Sequence, residues 1–170
     1  MAVGRSRTGL AITVAVAVGL SMSACARNNA DSNLAAGAGA GYGAAAGPGS
    51  VQEFNQTVGD RVFFDTDQTD LSPAAQATLD KQAAWLNKYN RYSFTIEGHA
   101  DERGTRDYNF ALGARRAQTV HDYLVAKGVS ASRVKTISYG KERPVATCDD
   151  ISCWSQNRRA VTVLNGAPSS

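Results

Sequence analysis

The stretch YSFTIEGHADERG, residues 92–104, joins a strand pattern to a short, highly charged segment. Up to Gly98, apolar and polar side chains alternate, a pattern that is typical of a strand with one buried face. A histidine and three charged residues follow before Gly104, and a helical pattern begins at about Thr105. The stretch therefore predicts a strand and a helix that are joined by a charged turn, and such connections often carry binding residues.

The rest of the C-terminal two thirds of the chain extends this pattern into an α/β domain. Ser72 can cap a further helix, and Pro73 suits its first turn. Residues 141–157 are expected to form a long loop. The order β-α-β-α-β-β predicts a sandwich of one mixed sheet with two main helices on one face. The predicted elements are strands at 61–64, 92–98, 133–140 and 158–165, and helices that begin at Pro73 and near Thr105.

The N-terminal residues 1–24 form a separate segment. Arg5 and Arg7 precede an apolar run that ends in small residues, and the segment contains no acid. This layout predicts a secretory signal peptide. A transmembrane anchor is the alternative, but the run is shorter than the roughly 20 residues that a membrane-spanning helix needs.

The end of this segment, SMSAC at residues 21–25, resembles the lipobox of bacterial lipoproteins, although Met22 stands where leucine is commoner. The resemblance implies cleavage before Cys25 and attachment of lipid to that residue, and Ala26 after it favours sorting to the outer membrane. An ordinary cleavage site with a leftover thiol is the alternative. Cys148 and Cys153 form a natural pair and leave Cys25 single, which favours acylation.

Residues 25–50 are rich in glycine and alanine and predict a flexible linker that follows the lipidated cysteine. The folded domain is expected at residues 51–166, with a short tail at 167–170. Removal of the signal peptide leaves 16 of the 18 basic residues against 15 acidic ones, a net charge of about +1. Such a balance gives no indication of nucleic-acid binding.

No motif for catalysis or metal binding stands out. DTDQTD at residues 65–70 starts like a calcium loop but lacks the glycine at position 6 and the glutamate at position 12, so a polar turn before a helix is predicted instead. His99 and Asp101 have no third ligand at a useful spacing, and no nucleophile motif occurs. We therefore expect no enzymatic activity, no catalytic residue, no metal and no cofactor.

The pair Cys148 and Cys153 lies in the predicted loop at 141–157. In an exported protein this pair favours a disulfide that holds the loop in shape. Zinc binding is the alternative, but the CxxxxC spacing stands alone. Trp154 is expected to pack under the same loop.

Asp101 and Arg116 are the candidate binding residues. Arg116 follows Leu112 by four residues and Tyr108 by eight, which places a charge in line with the apolar face of the second helix. Such a charge requires a partner, which is either internal or a ligand. If Asp101 and Arg116 converge, they suit a zwitterion, with its ammonium on the carboxylate and its carboxylate on the guanidinium.

Four motifs follow one another over about residues 58–165. They are VFFDTDQTDLS (62–72), TIEGHADERGTRDYNFALGARRAQTV (95–120), VKTISYGKERP (134–144) and NRRAV (157–161). In this order they resemble the peptidoglycan-associated lipoprotein (Pal) family, which carries an OmpA-like C-terminal domain. The resemblance implies an outer-membrane lipoprotein that faces the periplasm and binds the diaminopimelate of peptidoglycan stem peptides. It also implies the partner TolB, the Tol-Pal system, and roles in envelope integrity and cell division. A protein-interaction module whose binding to the wall is secondary is the alternative.

The resemblance also assigns the ligand-binding residues. Asp101 and Arg116 correspond to the family's main contacts with diaminopimelate. Further residues of the same groove are Phe64, Asp65, Arg103 and Leu112. Arg158 and Arg159 are expected to have a structural role or to lie at the rim.

Overall fold

The computed structural model describes residues 47–166. The predicted signal peptide, Cys25, the linker up to residue 46 and the tail at 167–170 lie outside the described residues. Within the described part of the chain, no helix is long and apolar enough to cross a membrane.

Four strands and two long helices form the domain, together with several short helical segments. The strands are β1 (Arg61–Phe63), β2 (Phe94–His99), β3 (Val134–Gly140) and β4 (Arg159–Leu164). The α-helices are α1 (Val51–Glu53), α2 (Pro73–Lys88), α3 (Arg106–Ala126) and α4 (Ile151–Asn157). A π-helical segment, Phe54–Gly59, continues α1, and a 3-10 turn, Ala131–Arg133, precedes β3.

The sheet is mixed, as the sequence predicts, and its strand order is β1-β4-β2-β3. Strand β4 runs antiparallel to both β1 and β2, whereas β3 runs parallel to β2. Helix α3 supplies the long crossover that a parallel pair requires. The carboxyl end of β2 therefore feeds directly into the charged turn and then into α3.

Helices α2 and α3 cover one face of the sheet. Alternate residues of β2, Phe94 and Ile96, are fully buried in the core, whereas Thr95 and Glu97 on the other face are half-buried. The helices contribute buried side chains at helical spacing to the same core. These side chains are Ala75, Leu79, Ala83 and Leu86 from α2, and Ala117, Val120 and Leu124 from α3.

Both long helices begin where the sequence predicts. The Ser72 hydroxyl accepts a hydrogen bond from the backbone N–H of Ala75, and Pro73 occupies the first turn of α2. The Thr105 hydroxyl caps α3 in the same way by accepting from the N–H of Tyr108. These caps satisfy backbone donors that a helix start leaves without partners.

The segment before β1 is more ordered than its composition suggests. Residues 47–50, the end of the predicted linker, already belong to the fold. The carbonyl of Gly49 accepts hydrogen bonds from the Tyr92 hydroxyl and the Arg91 guanidinium, both at 2.7 Å. The Glu53 carboxylate accepts from the Gly49 N–H at 2.6 Å and from the Trp85 indole at 2.8 Å.

The prediction of a long loop at 141–157 is wrong in its second half, where α4 forms. Asp150 caps this helix by accepting from the N–H of Ser152 at 2.7 Å. The predicted disulfide between Cys148 and Cys153 is confirmed and joins the preceding loop to the first turn of α4. A helix of seven residues spans only two turns, which is too short for apolar periodicity to reveal.

A close contact between Gly98 on β2 and Gly113 on α3 brings the helix onto the sheet. A Cβ atom on Gly98 would collide with the carbonyl oxygen of Gly113, and a Cβ on Gly113 would lie 2.8 Å from the carbonyl oxygen of Gly98. Two glycines are therefore needed where the helix crosses the strand, three residues before Asp101.

We expect Gly98→Ala to lower the free energy of unfolding by about 3 kcal/mol, because the added methyl must push α3 away from the sheet. Urea unfolding of the mature chain measures this loss. Gly166→Ala is the matched control, since no atom lies within 4 Å of a Cβ built there. Equal stability of the two variants would show that the helix does not approach β2 closely enough at Gly98 to exclude a Cβ atom.

Candidate functional site

Arg116 is fully buried, and its guanidinium donates to backbone carbonyls rather than to a carboxylate. Nε donates to the carbonyl of Gln68 at 2.9 Å, Nη1 to that of His99 at 2.9 Å, and Nη2 to that of Asp65 at 3.0 Å. The guanidinium also lies 5.1 Å from the centre of the Phe64 ring. Arg116 thus fastens the 65–68 turn to the end of β2.

Asp101 is paired with two other arginines. Arg103 donates from Nη2 at 2.7 Å, from Nε at 3.1 Å and from its backbone N–H at 3.2 Å. Arg158 donates from Nη1 to Oδ2 of Asp101 at 3.3 Å. Among the described residues, no hydrogen bond joins Asp101 to Arg116. Asp101 and Arg116 therefore have different hydrogen-bond partners within the protein.

Electrostatics keep these groups ionised. Burial alone would raise the pKa of Asp101, but the hydrogen bonds from Arg103 and Arg158 outweigh burial and hold the pKa below its ordinary value. Burial and the charge of Arg158 lower the pKa of Arg116 to about 10, whereas the charge of Asp101 acts in the opposite direction. At neutral pH one carboxylate therefore lies among several guanidinium groups.

Two cavities adjoin this cluster. The first, the Asp101 cavity, has a volume of about 200 Å³ and is lined by Thr66, Asp67, Asp101, Arg103, Gly104 and Tyr108. The second, the Arg158 cavity, has a volume of about 370 Å³ and is lined by Asp65, Asp70, Ser72, Ser155, Gln156 and Arg158, together with Phe63 and Phe64. Since Arg158 lines the second cavity and donates to Asp101 in the first, the two cavities meet at this ion pair.

Four of the six predicted site residues line a cavity, and two do not. Asp101 and Arg103 line the Asp101 cavity, and Phe64 and Asp65 line the Arg158 cavity. Arg116 lies buried between the segments that form them. Leu112 is buried and lines neither cavity.

Arg158, for which a structural role or a place at the rim is expected, lies buried beside Asp101. Its side chain is 7% exposed, and its Nε donates to the carbonyl of Phe64 at 3.0 Å. Among the described residues, Nη2 of Arg158 makes no hydrogen bond, and the residue lines a cavity. A buried guanidinium with unused donors is suited to hold an anionic group.

Trp154 connects α4 to the charged turn instead of packing under its own loop. The Arg103 guanidinium lies 4.2 Å from the centre of the Trp154 ring, a cation–π contact. The Trp154 indole N–H also donates to the Glu102 carboxylate. The Cys148–Cys153 disulfide closes a ring that ends immediately before this tryptophan. By loop entropy, a ring of this size stabilises the fold by roughly 2 kcal/mol. No sequence spacing could have linked residues 154 and 103.

His99 is buried on the other face of the sheet, and neither ring nitrogen has a hydrogen-bond partner. Its Nε2 lies 3.7 Å from a carboxylate oxygen of Glu97. Burial, followed by the charges of Arg159, Arg143 and Arg61, lowers the pKa of His99 to about 4. His99 is therefore neutral at neutral pH. Within residues 47–166 no group of three potential metal ligands occurs, so His99 and Asp101 do not form part of such a cluster.

The comparisons with known proteins agree with this fold. Residues 63–158 match the OmpA family. Peptidoglycan-associated lipoproteins of Rhizobium meliloti and Mesorhizobium japonicum are 70% and 67% identical over 124 residues, which cover 73% of this chain and 70% and 74% of those relatives. The crystal structure of the peptidoglycan-associated lipoprotein from Burkholderia pseudomallei matches with a TM-score of 0.63 and 37% identity, covering 65% of this chain and 96% of that chain.

These matches place the chain in the OmpA family, within the group of peptidoglycan-associated lipoproteins. The predicted fold class is confirmed together with this membership.

We expect the buried imidazole to make stability depend on pH between about 6.5 and 4. In this window the unfolded chain binds a proton that the folded chain does not, so the free energy of unfolding falls as the pH falls, by about 3 kcal/mol in total. Urea unfolding at several pH values measures the slope. His99→Gln should remove this component. If the free energy of unfolding of His99→Gln depends on pH as that of the wild type does, His99 is not the source of the dependence. The hydrogen bonds from Arg103 and Arg158 hold the pKa of Asp101 below its ordinary value, so Asp101 does not account for the part of the slope that His99→Gln removes.

Proposed function

We propose that this chain is an outer-membrane lipoprotein that binds peptidoglycan non-covalently through diaminopimelate and so tethers the membrane to the cell wall. The observation that carries the proposal is the junction of the two cavities, where a carboxylate and two guanidinium groups lie within hydrogen-bond distance. The similarity to proteins that are named peptidoglycan-associated lipoproteins supports binding to peptidoglycan. We propose no catalytic role.

The chemistry of the junction suits the free end of diaminopimelate, which carries an ammonium and a carboxylate on one carbon. Asp101 accepts from the ammonium, and a guanidinium donates to the carboxylate. Arg158 is the candidate for the second contact because its Nη2 is unused. Arg103, whose side chain is 41% exposed, can leave Asp101 when the ligand ammonium takes its place. The negative charge of Asp101 is then neutralised by Arg103 before binding and by the ligand ammonium after it.

Arg116 has a different part in this scheme from the one that the resemblance assigns. Three of its five N–H groups donate to backbone carbonyls, and its side chain is fully buried. A direct contact with the ligand requires a shift of the 65–68 turn. In the resting structure Arg116 positions that turn and the end of β2, and its charge adds to the positive potential beside Asp101.

The N-terminal predictions complete the proposal. Acylation of Cys25 anchors the chain, and the linker gives the domain reach through the periplasm. By the resemblance, we propose TolB and other Tol-system proteins as partners, with roles in envelope integrity and cell division. The rival proposal, a protein-interaction module with secondary wall binding, predicts that the mature chain does not bind purified, protein-free sacculi.

We expect Asp101→Asn to weaken binding to purified sacculi by about tenfold or more, because the ligand ammonium loses a charged acceptor. Co-sedimentation with protein-free sacculi measures binding. The isosteric change keeps a hydrogen-bond acceptor for Arg103 and Arg158, and circular dichroism checks the fold.

Asp122→Asn is the matched control, because that carboxylate is exposed on α3 and lines neither cavity. Full binding by the Asp101 variant would rule out this site. Loss of binding in both variants would point to a general effect of charge.

We expect Cys25→Ser to release the protein into the soluble periplasmic fraction, because the residue that is predicted to carry lipid is lost. Membrane fractionation followed by immunoblotting measures the distribution. Wall binding by the soluble variant should be unchanged. Continued retention in the membrane fraction, after release from peptidoglycan by lysozyme, would refute lipidation at this residue.

A further inference from the structure

We propose that a second surface, the groove between α3 and β3, binds an extended acidic peptide segment of a partner protein. The groove is distinct from the two cavities at Asp101 and has a volume of about 510 Å³. Its lining includes Phe110, Ala114, Arg115 and Gln118 from α3 and Thr136 and Ile137 from β3.

The strand edge supplies the backbone part of this surface. β3 is the last strand of the sheet and pairs only with β2 within the described residues. The N–H and C=O groups on its outer side therefore have no strand partner there. An extended peptide that aligns along β3 at the usual strand spacing of about 4.8 Å would satisfy them.

Apolar side chains beside this edge supply an anchor. Phe110 is 55% exposed and Ile137 is 41% exposed, although both are large and apolar. Phe110 lies on the helix side of the groove, and Ile137 belongs to the edge strand itself. Apolar side chains of an added strand would cover both residues, because side chains alternate between the two faces of a strand.

The charges at the groove and on its edge strand favour an acidic partner. Arg115 lines the groove, whereas Lys135 extends from β3 on the other face of the sheet, the face of Thr95. Arg115 and Lys135 are exposed, and among the described residues neither forms an ion pair. Arg115 is the one charged residue among those that line the groove, so the lining itself is cationic. Carboxylates on a bound peptide would complement Arg115 and Lys135.

The same charges argue against a second copy of this chain at the groove. Pairing of β3 with its own copy would bring a lysine from each copy onto the joined strands, and lysine on an edge strand discourages such pairing. We therefore assign the groove to a partner that is acidic and extended, not to self-association.

The test is a titration of the isotope-labelled mature chain carrying Cys25→Ser with a synthetic peptide that has valine and phenylalanine at its centre and aspartate and glutamate at both ends. We expect amide chemical-shift changes confined to β3 and to the 110–118 part of α3. Arg115→Glu combined with Lys135→Glu should weaken binding about tenfold, since two exposed charge pairs are reversed. Added salt should weaken binding by the wild-type chain.

Matched controls separate the alternatives. Lys81→Glu combined with Lys88→Glu makes the same change of charge on α2 and should leave peptide binding intact. A peptide with lysine in place of each acidic residue should not bind. Equal binding of the two peptides, shifts located elsewhere, or no shifts at millimolar peptide would overturn the proposal. A concentration-dependent dimer that is disrupted by Lys135→Glu would assign the groove to self-association instead.

This proposal is independent of peptidoglycan binding. The Arg115 and Lys135 variant should bind sacculi as the wild type does, because neither residue lines the cavities at Asp101. Asp101→Asn should likewise leave binding of the acidic peptide unchanged.

Discussion

The buried guanidinium of Arg116 holds the candidate site together. Its three hydrogen bonds reach the 65–68 turn and the last residue of β2, two segments that are more than thirty residues apart in the chain. A guanidinium can do this because its donors are planar and point in fixed directions. Lysine, with a single ammonium, could not reproduce this arrangement.

Around this fixed centre the site is built from short segments that come from different parts of the chain. The charged turn after β2 contributes Asp101 and Arg103, and Arg158 lies between the end of α4 and the start of β4. Helix α4 then contributes Trp154, which stacks on Arg103. The disulfide stabilises the segment next to this tryptophan. Through Trp154 it therefore contributes indirectly to the position of Arg103, which pairs with Asp101. Asp101 is thereby surrounded by donors that differ in mobility, with Arg158 buried and Arg103 partly exposed.

The sheet, both long helices and the charged turn could be predicted because periodicity, caps and the alternation in YSFTIEG reflect local physical preferences. Arg116 could be selected because a charge in line with Leu112 needs a partner. Its partners could not be predicted, since every residue offers a backbone carbonyl and no side-chain type identifies the acceptor. The contact of Trp154 with Arg103 and the two-turn helix α4 were missed because they depend on tertiary packing. The π-helical segment Phe54–Gly59 also has no periodic signal of its own.

The attachment of Gly49 to Tyr92 has a mechanical consequence. Tyr92 and Asp101 flank opposite ends of β2, which spans roughly 20 Å. A force on the linker would reach the domain at Gly49, and a bound ligand would hold the domain at Asp101. Opposed forces at these two points would therefore apply tension along β2. The hydrogen bonds from β2 to its neighbours run across the strand, so this tension would load them in shear, and many bonds would have to break together rather than one at a time.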